Sequence, residues 1–229
     1  MDNIIKMILK TPKGTPREAL YIETGLLDPT TIIKRNRVNM ESRLRIKGSK
    51  MVKEILNNRL KNGWMERTET IKQELNIETG DTIGPKEVVK KKINTKTHIY
   101  FKRKITTEGA EKSKVKYLLE GKGQEWTPGQ RPKYMSELTR NQASTIFKAR
   151  TRMLPFKDNY RTGKSNLLCR ACSQTTETQS HALEECRILH TDPETRVEKR
   201  ELFQEESTEL KKVAKKIDNI LKTLEGLTT

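Results

Sequence analysis

Four residues in the last third of the chain, Cys169, Cys172, His181 and Cys186, restrict its folding more than any other feature of the sequence. They read C-x2-C-x8-H-x4-C and use all 3 cysteines the protein has. The thiolates of a C-x2-C step share one tight turn, where both reach a single metal at about 2.3 Å. A histidine and a third cysteine returning from the next element would complete a tetrahedron. A closed set of soft sulfur and nitrogen ligands suits zinc far better than calcium or magnesium. Free cysteines are often ordinary core residues, but gathering all of them between positions 169 and 186, two at the CxxC step, argues for a metal site.

Spacing alone leaves the histidine open. His190 follows Cys186 by four positions, so the two share one face of a helix. His181 precedes Cys186 by five, which a regular helix splays by about 140°. The His181 arrangement therefore needs the histidine at a helix start, where the backbone can still deviate, with Thr178 or Ser180 as the cap. On local geometry the pair Cys186 and His190 is slightly favoured.

A small metal module fits the rest of the composition. Only 32% of residues are hydrophobic and 34% are charged, which excludes one thick core and predicts a mainly α, elongated helical array with small local cores. The formal charge of +17 predicts a polyanionic partner, RNA and/or DNA, bound with release of counterions. No lipidation motif and no long apolar run occur, so a membrane is not an expected partner. The segment Met1-Asp2-Asn3-Ile4 does not read as a secretion signal. An odd cysteine count at metal-like spacing then predicts a reducing compartment, nucleus or cytoplasm.

In chain order, Thr15-Pro16-Arg17-Glu18 reads as a capping box opening a helix through Ile22, with Gly25 as terminator. Asp28-Pro29 opens a second helix to about Ile46, with Ile33, Met40 and Leu44 as its apolar stripe and arginines and lysines around the rest. A third carries a core stripe of Met51, Val52, Ile55, Leu56 and Leu60 and ends at Gly63. A weaker helix is expected over Thr70 to Leu75, and Pro85 opens another. That last helix holds Lys90, Lys91, Lys92, Lys102, Arg103 and Lys104 with His98, Tyr100 and Phe101 among them, a mixture suited to phosphate contact and base stacking. Residues 106–133 read as a hinge around a short helix at Lys114 to Leu119. Thr139 and Gln142 form a second capping box; the helix it opens turns Ala143, Ile146 and Phe147 inward and is closed by Pro155. Leu210, Val213, Ala214, Ile217, Ile220, Leu221 and Leu224 make an amphipathic seam that either packs on its own domain or docks a partner helix through 210–224.

Leu138-Thr139-Arg140, Arg150-Thr151-Arg152-Met153-Leu154, the CxxC pair, Glu177-Thr178-Gln179, His181 and Cys186 together resemble the C-terminal region of non-LTR (LINE-like) retrotransposon reverse transcriptases. There a CCHC knuckle follows the polymerase and a helical linker. Ala19-Leu20-Tyr21-Ile22-Glu23-Thr24-Gly25-Leu26-Leu27 is similar to the thumb segment of the same family. The resemblance favours His181 as the fourth ligand. It implies a thumb-like helical segment over 1–63, a basic helical connector and hinge over 64–133, and a helix, the CCHC knuckle and C-terminal helices over 134–229. It also implies a nucleic-acid-binding role, with Arg140, Lys148, Arg150 and Arg152 beside the knuckle as phosphate contacts. The chain departs from the family in chemistry: Asp2, Asp28, Asp81, Asp158, Asp192 and Asp218 are isolated from one another, whereas two-metal nucleotidyl transfer needs carboxylates converging on one site. No catalytic residue is expected and the chain is not expected to be an enzyme.

Overall fold

A computed structural model of the protein describes residues 1–57, 63–123, 126–160 and 166–227. Among them the chain is mainly helical, and its only β pairing is an isolated antiparallel bridge between Leu168 and Thr176. In chain order the α-helices are α1 (Asp2–Ile8), α2 (Arg17–Thr24), α3 (Pro29–Lys47), α4 (Lys50–Asn57), α5 (Gly63–Glu74) and α6 (Lys86–Gly109). They continue with α7 (Ser113–Lys122), α8 (Tyr134–Glu137), α9 (Arg140–Arg150), α10 (Lys199–Leu202) and α11 (Ser207–Gly226). No helix among the described residues is long and apolar enough to cross a membrane.

The chain forms two compact units that do not follow chain order. Unit 1 combines Met1–Gly25, Gly109–Trp126 and Gln130–Thr229, and unit 2 combines Leu26–Glu108 with Thr127–Gly129. The segments expected from sequence, 1–63, 64–133 and 134–229, are consecutive instead.

Unit 1 is organised by α9 against α11. Ile146, Ala149, Leu154 and Phe156 share a buried cluster with Leu210, Val213, Ala214, Ile217, Ile220 and Leu224, each large apolar side chain contributing about 1.5–3 kcal/mol by leaving water. The amphipathic seam is thus consumed by its own unit, and a partner helix docking through 210–224 would have to displace this core. The capping box at Thr139 forms as read: its hydroxyl accepts from the Gln142 N–H and the Gln142 side chain returns to the Thr139 N–H at 3.2 Å. The box at Thr15 does not form. Pro16 occupies the cap position of α2, and the Thr15 hydroxyl donates to the Pro12 carbonyl at 2.7 Å. At the far end Gly25 closes α2 in the left-handed region, φ 67°, where a Cβ would meet the Gln130 carbonyl oxygen at 2.3 Å.

Beside that end lies a buried polar network. Glu23, fully buried on α2, meets Lys122 Nζ at 3.0 Å, Arg150 Nη1 at 3.6 Å and the Tyr134 hydroxyl. Burial pushes its carboxyl pKa up, but Lys122, Arg150 and Tyr134 together outweigh that and hold it below the usual range.

Unit 2 is thinner. Its described core gathers Val38, Leu75, Ile77, Val89 and Ile93, with Ile46, Ile71 and Tyr100 packed at the edge. Asp28 caps α3, accepting from the Thr31 N–H at 3.1 Å, with Pro29 at the first helical position. The stripe expected on α3 is on the wrong face: Ile33 is 65% exposed and Met40 55%, while the helix buries Thr31, Val38, Glu41 and Ser42. Glu41 is tolerated there because Lys72 lies 2.9 Å away and Arg45 pairs with it from the next turn. On α4, Leu56 is buried and Val52 half-buried, but Met51 and Ile55 are exposed, so the expected core stripe is only partly inside; Leu60 lies outside the described residues. Gly63, read from the sequence as a helix end, lies within α5.

Candidate metal centre

Cys169 and Cys172 lie on a turn that leaves the Leu168–Thr176 bridge. The Cys169 N–H donates to the Thr175 carbonyl at 2.7 Å, and the Ser173 N–H closes the turn on the Cys169 carbonyl at 2.8 Å, with Ser173 in the left-handed region. Glu177 locks this hairpin. Its fully buried carboxylate accepts a two-pronged bond from the Arg170 guanidinium, at 2.7 and 2.9 Å, plus the backbone N–H groups of Arg170 and Lys157. Burial pushes the Glu177 carboxyl up and Arg170, followed by these N–H groups, brings it below the usual range. Gln179 then ties the segment to α9 by donating to the Ala149 carbonyl at 2.8 Å.

The second half of the ligand set comes from one wide helical turn. Residues His181–Glu185 form a π-turn in which the Cys186 N–H donates five residues back to the His181 carbonyl at 2.8 Å. A wider turn restores to one face two residues that an α-helix would splay, so His181 and Cys186 converge. Thr178 caps the turn, its hydroxyl accepting from the His181 N–H at 3.1 Å. The Ala182 carbonyl, which the Cys186 N–H would take in an α-turn, instead lies 3.0 Å from His190 Nε2. His190 is buried, with Nδ1 3.1 Å from the Thr195 hydroxyl, and burial lowers its pKa. The rival histidine therefore fills a backbone vacancy that the wide turn creates, and it is not a member of the ligand set.

The four ligand atoms of Cys169, Cys172, His181 and Cys186 all lie within 4.8 Å of one another, close enough to hold a metal ion. Cys169 and Cys186 have their sulfurs 3.9 Å apart, and Cys172 Sγ is 3.3 Å from His181 Nε2. Ligands tetrahedral about a metal at about 2.3 Å from sulfur and 2.0 Å from nitrogen sit about 3.5–3.8 Å apart, so these separations fit. They do not fit a disulfide, whose sulfurs approach to about 2.05 Å, and all three thiols are free. Cys169 and Cys186 are buried, and burial pushes the Cys169 thiol up to about 11. The half-exposed Cys172 is brought down to about 6, first by the Gln174 backbone N–H and then by the Thr175 N–H and His181. The Thr175 hydroxyl lies over the imidazole edge, 3.0 Å from His181 Nδ1 and 3.1 Å from Nε2, with Glu185 3.9 Å from Nδ1 and Cys172 on the Nε2 side.

The basic residues expected to contact phosphate divide sharply. Arg150 is a correction: it is 4% exposed, donates to the carbonyls of Leu202 at 2.6 Å and Gln204 at 2.9 Å, and lies over the rings of Tyr134 and Phe203. Its place on the inner face of α9, opposite Glu23, makes it part of the core. Arg140 is exposed but closes α1 by donating to the Ile8 carbonyl at 3.0 Å. Arg152 lies over Tyr117, and Lys148 is half-buried near Lys10. On α6, Lys90, Lys91, Lys92 and Arg103 are exposed, Lys102 is half-buried, and Lys104 pairs with Asp28 at 3.3 Å. The aromatic platform expected there is absent: α6 buries every fourth residue from Val89 to Ile105, which takes Phe101 inside, and Tyr100 lies beneath Lys34. His98 packs beneath Gly129, where a Cβ would come within 2.8 Å of its ring. Arg170, Thr175, Glu177 and His190 support the site without being singled out by the sequence for these roles; only their closeness to the CxxC pair could have flagged them.

Comparison of the chain with family models, with curated proteins and with solved structures returned no match.

Proposed function

We propose that the chain is a zinc-ordered helical module that binds nucleic acid, akin to the C-terminal knuckle region of LINE-like reverse transcriptases and without a catalytic part of its own. The observation that carries the reading is the convergence of three thiols and one imidazole on a common point, held by ligand-independent bonds from Arg170, Glu177, Thr178 and Gln179. A set of three sulfurs and one nitrogen suits a closed structural zinc site, in which metal affinity becomes folding energy. Cys169, Cys172, His181 and Cys186 would hold the ion. Nucleic acid is favoured as the partner by the +17 charge and by the exposed Lys90, Lys91, Lys92 and Arg103.

Two measurements test this. Titration with Co2+ should saturate at one equivalent with the visible bands of a tetrahedral thiolate site, and Zn2+ should displace it; no saturable binding removes the zinc reading. A fluorescently labelled structured RNA should bind the zinc-loaded chain with log affinity falling linearly in log salt, and chelation should weaken it severalfold. Absence of RNA binding at moderate salt removes the nucleic-acid reading.

A further inference from the structure

Unit 2 carries a groove of about 520 Å³ between α3 and α6, lined by Arg35, Asn36, Asn39, Met40 and Arg43 of α3 and by Lys90 and Asn94 of α6. Arg35, Asn39 and Arg43 recur every fourth residue and so form one row about 12 Å long. Among the described residues no carboxylate lines the groove. Nearby cations are occupied elsewhere. Lys34 is bonded to Glu74, Arg37 donates to the Thr68 hydroxyl and the Trp64 carbonyl, Arg45 pairs with Glu41, and Lys92 and Lys96 face Asp81. Among the described residues Arg35, Arg43 and Lys90 have no hydrogen-bond or ion-pair partner. Three unneutralised cations and three amides thus face one concavity without an anion, although acids are plentiful in the same unit.

We infer that this groove is a subsite for a phosphodiester backbone, in which Arg35, Arg43 and Lys90 take phosphate oxygens and the amides of Asn39 and Asn94 donate to phosphate or ribose hydroxyl. The inference rests on the reading of the chain as a nucleic-acid binder and names where the strand lies on unit 2. Guanidinium groups bind phosphate by paired N–H donors and amides add short-range donors, while among the described residues no aromatic ring lines the groove for bases to stack on. Recognition here follows the backbone and is indifferent to sequence.

The test uses the full zinc-loaded chain and a labelled single-stranded RNA, measured by anisotropy across a salt series. Replacing Arg35, Arg43 and Lys90 together by alanine should lower affinity at least tenfold at about 0.1 M salt and reduce the log–log slope by about two. A control that removes the same charge from exposed Lys211, Lys215 and Lys222 on α11 should change the slope by less than half as much. Met40→Glu, which adds an acid to the groove and removes no cation, should also weaken binding; circular dichroism melts check that each variant is folded. If the groove variants and the control behave alike, the groove is overturned while general nucleic-acid binding stands. If the unmodified chain does not bind RNA at all, both fall together.

Discussion

In unit 1 the guanidinium of Arg150 lies against Tyr134 and Phe203 with Glu23 beside it, and that of Arg170 is forked onto Glu177. In unit 2 Arg35 and Arg43 stand on one row of α3, and among the described residues no carboxylate lines their groove. Unit 2 also holds structural arginines, Arg37 and Arg45, so what separates a bound guanidinium from an unspent one is where acids and carbonyls fall in three dimensions. Glu23 reaches Arg150 from a helix at the other end of the sequence, so arginines that look alike in a basic stretch have different fates. A net charge reports a surplus of cations. It does not say which cations make up the surplus.

The contrast is broken most directly at Arg150. Arg150→Ala should destabilise unit 1 by about 3–5 kcal/mol in urea unfolding, because Glu23 loses a buried counter-charge and two carbonyls lose their donor. RNA affinity of the folded variant should stay within twofold of the parent. A stable variant with weakened RNA binding would instead return Arg150 to the binding surface.

A second, smaller effect follows pH. Glu23 has its pKa lowered in the folded chain, with Lys122, Arg150 and Tyr134 overcoming the burial that works against them. Its stabilisation is therefore complete above the unfolded carboxylate pKa of about 4.3 and is lost as pH falls through the lower folded value. Glu23→Gln should flatten the fall in stability below about pH 4 while lowering the plateau above it; an unchanged acid limb would mean other carboxylates dominate.

The smallest effect expected is at the cap of α9. Thr139→Ala should cost about 1 kcal/mol, read as a lower thermal midpoint of unit 1, through loss of the bond to the Gln142 N–H. It sharpens the comparison by separating local helix stability from the buried charge network, since it leaves Glu23 and Arg150 in place.

Much of this was legible from residue order because it is local. The Asp28-Pro29 and Thr139–Gln142 starts, the Gly25 stop and the α11 seam depend on neighbours within a few positions, and the three cysteines announce themselves by spacing while the histidine does not. The failures come from elsewhere in the chain or from the backbone. Ile33 and Met40 look like a core face until Val38 and Glu41 are chosen by what α5 and α6 present. Thr15 looks like a cap, but Pro16 takes that position one residue later. His181 looks misplaced on a 3.6-residue period, and a π-turn has no composition of its own to betray it.

That wide turn carries a lesson about counting. One added residue in the loop between two ligands would ordinarily rotate the second away; absorbed as an i→i+5 bond, it leaves both aimed at the same point and displaces the surplus onto a single carbonyl. H-x4-C is then the equivalent of H-x3-C in an ordinary turn, provided that a donor arrives for the orphaned oxygen. Here His190 is that donor.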